Sequence, residues 1–462
     1  VHTPAFIRPA LWPVVIVAVL FAAGGIVRFD TPAPAATRVH RHLYATHPEA
    51  ARAVSAPTVL GPRPPSLVSP VSATTPGNWV ATWGAAPQAA TPSSRAALGF
   101  DDQTIREIVD TSVGGSMVRI RLANTFGAGP LTIGRAAIGV ERSGARLVVG
   151  SIRPLTFAGR SRVVIPAGAQ AVSDPVALAV APLMRLAVSV FLPEPTGPAT
   201  QHYQARRVNY IATGADAVDP WAGAFSAQTT SWYFLDGIDV LAPARVRGAI
   251  VALGDSITDG VGSPINADAR WPNDLARRLA ARPGPTLSVI DEGIGGNRVL
   301  NDSACCGTSA VGRFDDDVRD QTGVRDVILL EGINDIGDSR STNPLTAPHT
   351  DVSALQIVDG YEQIIAAAHA AGLRIFGATL TPFEGARYWT PAGEAKREAV
   401  NRWILTSGAF DGVIDFARAV ADPADPERLD PADDSGDHLH PDAAGYQAMA
   451  GAIDLGMLLR QR

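Results

Sequence analysis

Four short segments carry side chains of the kinds that acyl transfer uses. The first is Gly254-Asp255-Ser256-Ile257-Thr258-Asp259-Gly260, which follows an apolar run. A serine hydroxyl just past a strand end can attack a carbonyl when a histidine removes its proton. Taken alone, the segment reads more simply as a turn with a helix-capping serine. The second is Asp291-Glu292-Gly293-Ile294-Gly295-Gly296-Asn297. Its glycines let backbone N–H groups approach a ligand closely, although by itself it is a tight turn. The third, Glu331-Gly332-Ile333-Asn334-Asp335, offers the Asn334 amide to a developing oxyanion, or a helix cap. The fourth is Gly436-Asp437-His438-Leu439-His440-Pro441-Asp442. His440 can serve as general base and then acid, with Asp437, three residues earlier, holding its other ring nitrogen. His438 and His440 could instead be a metal pair, but no third ligand is evident by spacing.

The elements that must position these groups are legible as a rhythm. Strand candidates 248–254, 286–291, 326–332, 374–380 and 412–416 are nearly continuous apolar runs. Helix candidates lie at 272–281, 352–371, 392–405 and 443–459. Strands alternating with helices predict a mostly parallel sheet covered on both faces, with ligands at the carboxyl ends of its strands. Three of the four segments follow such ends. Together they supply a nucleophile (Ser256), oxyanion donors (Gly296, Asn334), a base (His440) and an orienting carboxylate (Asp437). That set performs acyl transfer with no cofactor and no metal. No G-x-S-x-G elbow surrounds Ser256, so the usual α/β-hydrolase reading is not supported.

The four segments, in this order, strongly resemble the SGNH hydrolases, the GDSL-type lipases and esterases. GDSITDG matches the nucleophile block of that family, Gly296 its oxyanion glycine, Asn334 in GINDIG its oxyanion asparagine, and Asp437 and His440 in DHLHP its acid and base. The resemblance implies the backbone N–H of Ser256 as a further oxyanion donor. It also implies a flavodoxin-like three-layer α/β/α fold over about residues 246–462. Asp291 and Glu292 stand where many relatives have Asn and a small residue, a departure expected to alter the pocket rim.

The preceding stretch, 78–243, has a different period. Segments 116–126, 131–140, 145–152 and 183–192 read as short strands. Val118, Ile120 and Leu122 alternate with Arg119, Arg121 and Ala123, as on a half-buried strand. An all-β sandwich is expected there, and NWVATWGAAPQ at 78–88 with VRIRLANTFG at 118–127 resembles the jelly-roll-like β-domain of some two-domain bacterial members. The catalytic domain is then 244–462.

Residues 9–27 carry no charge and read as a signal peptide or an N-terminal membrane anchor within 1–30, followed by a Pro/Ala-rich linker over 31–77. Export, to a secreted, periplasmic or membrane-anchored site, follows as an expectation. A net charge of -6, with 18% charged residues, gives no reason to expect nucleic-acid binding. The adjacent Cys305 and Cys306 are either a vicinal disulfide or two free thiols. The acidic run 422–437 lacks the spacing of an EF-hand loop. Trp271, Tyr388 and Trp389 are either rim or ordinary packing. The expected substrate is a small acyl ester, with O-acetyl groups on carbohydrate favoured. The alternatives are a general aryl or alkyl esterase or lipase, and a front domain that acts as a glycan- or cell-wall-binding module.

Overall fold

The computed structural model describes residues 77–92 and 94–460. The expected signal or anchor segment and nearly all of the linker lie outside them. Among the described residues no helix is long and apolar enough to cross a membrane.

The front half builds two antiparallel sheets around one apolar core. In the first, Leu235–Leu241 lies between Trp79–Gly84 and Gly115–Ala123, and Val176–Val180 follows. In the second, Gln103–Asp110 and Arg185–Leu192 are the central pair, flanked by Asn209–Thr213 and Arg135–Ser143. Val118, Ile120 and Leu122 pair with Val240, Ile238 and Leu235. They share a buried cluster with Ile105, Val109, Ile138, Leu186, Val188 and Val190 from the second sheet. The alternation read from sequence is therefore real, but its polar partners do not face water. Arg119 bonds Asp239 at 2.8 Å, and Arg121 bonds Asp236 at 3.0 Å and Gln321 at 2.8 Å. Gln321 lies in the second half of the chain, so the arginine face is a seam between the halves. Backbone bonds cross it as well: Ala81 N–H donates to the Thr322 carbonyl at 2.9 Å. Two front segments are shorter than their apolar text suggests. Residues 131–140 divide into Leu131–Ile133 and the start of Arg135–Ser143, and 145–152 yields only Arg146–Leu147. Gly134, a residue with no side chain to pack, falls at the first break.

The rear half is built on a five-stranded parallel sheet. In chain order its strands are Val246–Gly254, Thr286–Gly293, Val324–Leu330, Arg374–Ala378 and Gly412–Ile414. Their spatial order is 2-1-3-4-5, every neighbouring pair parallel. Helices flank the sheet in two groups. Trp271–Ala280 buries Trp271, Leu275 and Leu279 at four-residue spacing, and Trp271 meets Phe416 of Phe416–Val420 at 5.3 Å. Trp271 is fully buried core and no part of a rim. In the other group Ala354–Ala370 packs near Pro391–Thr406, where Tyr361 lies 6.1 Å from Trp403. Local signals start these helices: a Ser353/Gln356 capping box, and Thr390 ahead of Pro391. The expected final helix, 443–459, is two helices. Ala443–Ala452 ends at Ile453, and Asp454 caps a new helix, Leu455–Leu459, through the Gly456 N–H. A side chain that accepts from the backbone two residues on offers the chain an alternative to continuing the helix.

Candidate active site

In a 2-1-3-4-5 sheet the strand order reverses between strands 1 and 3, which leaves a crevice at their carboxyl ends. Ser256 and Asn334 follow those two strands, each at a helix start. Ser256 opens the single-turn helix Ser256–Asp259, whose cap is Asp255: its carboxylate accepts from Ile257 N–H at 2.8 Å. Burial pushes Asp255 up to about 7, against the pull of that N–H and of His440.

His440 comes from the loop before Ala443–Ala452. The Ser256 hydroxyl lies 2.8 Å from His440 Nε2, and His440 Nδ1 lies 2.6 Å from Asp437 Oδ2. The other Asp437 oxygen accepts the backbone N–H groups of Leu439 at 3.0 Å and His440 at 2.8 Å. Burial opposes ionisation of Asp437, but these bonds outweigh it and hold its carboxyl well below the ordinary range. With Nδ1 donating to a carboxylate, Nε2 is left as acceptor for the serine proton. His438 is tied to Asp434 at 2.6 Å and is exposed, pointing to a loop-fixing role and away from a ligand pair with His440.

Asn334 sits in Ile333–Gly337, preceded by Gly332 at φ 128°, a conformation that favours glycine. One of its amide hydrogens goes to the Asn297 carbonyl at 2.9 Å, and the Tyr388 hydroxyl approaches its oxygen at 3.4 Å. Gly296 has φ 76°, and a Cβ there would sit 2.6 Å from Cys306 Sγ. Cys305 and Cys306 are joined by a disulfide, one of the two states left open by sequence. Ser256, Gly296, Asn334 and His440 line one cavity of about 460 Å³, with the disulfide, Leu345, Tyr388 and Leu439. Of the aromatic candidates, Tyr388 is at the cavity, whereas Trp389 packs against the core.

The front half supplies part of that wall: Gln88, Thr91, Pro92, Tyr203 and Gln204 also line it. The anchoring is polar and buried. Gln88 exchanges backbone bonds with Gln201, and its side-chain oxygen accepts Tyr203 N–H at 2.9 Å. His202 lies between the Ala86 carbonyl, 2.9 Å from Nδ1, and Asp259 Oδ1, 3.2 Å from Nε2. Both neighbours are acceptors, so both ring nitrogens must carry protons: His202 is an imidazolium paired with the last residue of the serine helix. Burial lowers its pKa, but Asp259 and the Ala86 carbonyl raise it by more. Arg270 and Asp291 complete this cluster, 3.4 Å apart. The expectation that Asp291 and Glu292 shape the pocket rim is corrected here. Asp291 pairs with Arg270, and Glu292 is buried at the seam, where burial and the neighbouring Asp317 push its carboxyl well above the ordinary range against the pull of Arg121 and Arg313.

Sequence reading missed three positioning residues. Arg313, on the unexpected helix Ala310–Phe314, donates to the Gly254 and Glu292 carbonyls, to Asn297 Oδ1 and to Asp317. It thereby ties the ends of strands 1 and 2 to the residue that holds Asn334. Asn297 clamps the disulfide loop through the carbonyls of Cys306 and Thr308. Asp335 accepts the N–H groups of Val299 and Leu300, which fixes the glycine-rich loop. Asn297 and Asp335 stand inside the quoted segments, next to Gly296 and Asn334; nothing in the Asp-rich text around Arg313 marks it. In the acidic run, Glu427 lies near Glu394 and Glu398 at metal-ligand spacing, but Arg397 already bonds Glu394.

A serine hydroxyl, an imidazole and amide N–H groups gathered at the carboxyl ends of a parallel sheet are the groups that acyl transfer uses. Residues 252–448 match the GDSL-like lipase/acylhydrolase family. The match supports GDSL/SGNH-type superfamily membership for that stretch, and the protein is a carboxylic ester hydrolase. Similar solved structures include an acetylxylan esterase from Geobacillus stearothermophilus, 20% identical, covering 46% of this chain and 94% of its own, with a TM-score of 0.35. A carbohydrate acetylesterase family member from Sinorhizobium meliloti is 17% identical over 44% of this chain and 94% of its own, with a TM-score of 0.34. A GDSL-like lipase from Bacteroides thetaiotaomicron is 15% identical over 46% and 87%, also at 0.34. No curated protein matches this sequence.

Proposed function

We propose that this protein is a serine esterase for short acyl esters, O-acetyl groups on carbohydrate among them, working through an acyl-enzyme on Ser256. The observation that carries the reading is the unbroken chain Ser256–His440–Asp437, with links of 2.8 and 2.6 Å, in a cavity that also holds Asn334 and Gly296. Ser256 attacks the ester carbonyl as its proton moves to His440 Nε2. Asp437 keeps the tautomer and supports the imidazolium that forms. The oxyanion is met by the backbone N–H groups of Ser256 and Gly296 and by the second amide hydrogen of Asn334. His440 returns the proton to the leaving alcohol, and water, activated by His440, frees the acyl group.

Front residues 78–243 form a jelly-roll-like sandwich in this reading, and 244–462 a flavodoxin-like catalytic domain, the latter supported by the 2-1-3-4-5 order. The sandwich acts as a wall of the substrate site, not as a separate glycan-binding module; Gln88 and Tyr203 at the cavity favour this. Export remains part of the proposal, resting on the uncharged segment 9–27. Acetate release from acetylated xylan should be set beside turnover of 4-nitrophenyl esters from acetate to palmitate. Fast acetate release with a steep fall beyond short chains is expected. Strong turnover of palmitate with no release from xylan would replace this substrate class with that of a general esterase or lipase.

A further inference from the structure

A second cleft, of about 580 Å³, adjoins the Ser256 cavity and shares Tyr388 and Leu439 with it. Charged and polar residues make up most of its lining, and its charges are unevenly satisfied. Of its two carboxylates, Asp437 is bonded to His440, and Asp338 lies 3.9 Å from Arg298. Its two cations, Arg340 and Arg387, are exposed, and among the described residues neither makes an ion pair or a side-chain hydrogen bond. Both guanidinium groups line this one cleft and are open to solvent. A guanidinium is planar, always charged and matched to carboxylate or phosphate oxygens.

The position of the cleft says which half of the ester it takes. His440 must hand its proton to the leaving oxygen, so that oxygen lies within hydrogen-bond reach of Nε2 and the rest of the alcohol extends on the histidine side. Asp437 and Leu439, which lead directly into His440, line this cleft. We infer that the cleft is the alcohol subsite, and that Arg340 and Arg387 select alcohols bearing an oxyanion, a carboxylate or phosphate on an acetylated sugar. This rests on the Ser256 acyl-enzyme reading and adds to it the charge of the substrate.

The test compares kcat/KM for three acetylated methyl glycosides: a neutral glucoside, its glucuronic acid counterpart and its 6-phosphate. The ratio of charged to neutral substrate within one enzyme is the readout, so a general loss of activity cancels. Wild type should favour at least one charged substrate by about tenfold, a preference that shrinks as salt is raised. The double variant Arg340→Ala/Arg387→Ala should bring the ratio close to one. The carboxylate and phosphate arms identify which oxyanion is preferred. A wild-type ratio at or below one for both, or a preference that survives in the double variant, overturns the inference. Neither result touches the nucleophile: the reading beneath fails only if Ser256→Ala still turns over the neutral glucoside.

Discussion

Asn334 gives one amide hydrogen to Asn297 and receives the Tyr388 hydroxyl at its oxygen, so its free N–H is aimed before any substrate arrives. A donor fixed in advance costs no reorganisation when charge develops, and Asn334→Ala should lower kcat by roughly 10²- to 10³-fold with a smaller change in KM. An Asn334→Ala kcat near wild type would remove it from the oxyanion site. Asp437→Asn keeps the shape but reverses what Nδ1 faces, and steady-state assays should record a fall of about 10⁴-fold. Gly296 is a harsher case. Its φ of 76° disfavours a side chain, and the Cβ of Gly296→Ala would press on Cys306 Sγ. Loss of activity with the fold retained, as read by circular dichroism, is expected. Ser256, Gly296 and Asn334 could be picked out in sequence because each stands in a short segment after a strand end, and Asp437 and His440 because they share one short segment before a helix. Arg313 could not: its partners Gly254, Glu292 and Asn297 converge only in space, and its helix is too short to leave a periodic trace.

The five parallel strands and the longer helices were legible because buried strands leave apolar runs and caps leave Ser, Thr and Asp at fixed offsets. What failed was local competition. Asp454 splits the last helix by capping its second half, and Gly134 interrupts a strand-like run. The serine helix is one turn long and takes support from outside itself, from His202 on Gln201–His202. Because the folded pKa of His202 is raised, its contribution is complete below the unfolded value of ~6.5 and is lost as pH climbs through the higher folded value. Wild type should therefore lose more thermal stability than His202→Gln as pH rises from about 6 to about 9. Melting curves with parallel pH dependence in the two proteins would show that His202 is not a charged partner of Asp259.

The arginine face of the first front sheet could not be read correctly from sequence, since alternation tells which residues share a face but not what covers it. Here the cover is the catalytic half. Arg121, paired with Asp236, is also a charged neighbour of Glu292, and His202 faces Asp259. Cutting the chain at 244 would leave Asp259 without His202 and would open one wall of the cavity. Residues 244–462 expressed alone should be insoluble or inactive toward 4-nitrophenyl acetate. A soluble fragment with wild-type turnover would make the front half dispensable to the site. The central claim, that an acyl group resides on Ser256, is tested most directly by trapping it. The full chain is mixed with 4-nitrophenyl acetate, quenched in acid within the first turnovers and mapped by peptide mass spectrometry. One acetyl group on the peptide carrying Ser256, absent from Ser256→Ala along with the activity, is the predicted result; an acetyl group on another residue, or undiminished turnover by Ser256→Ala, would contradict it.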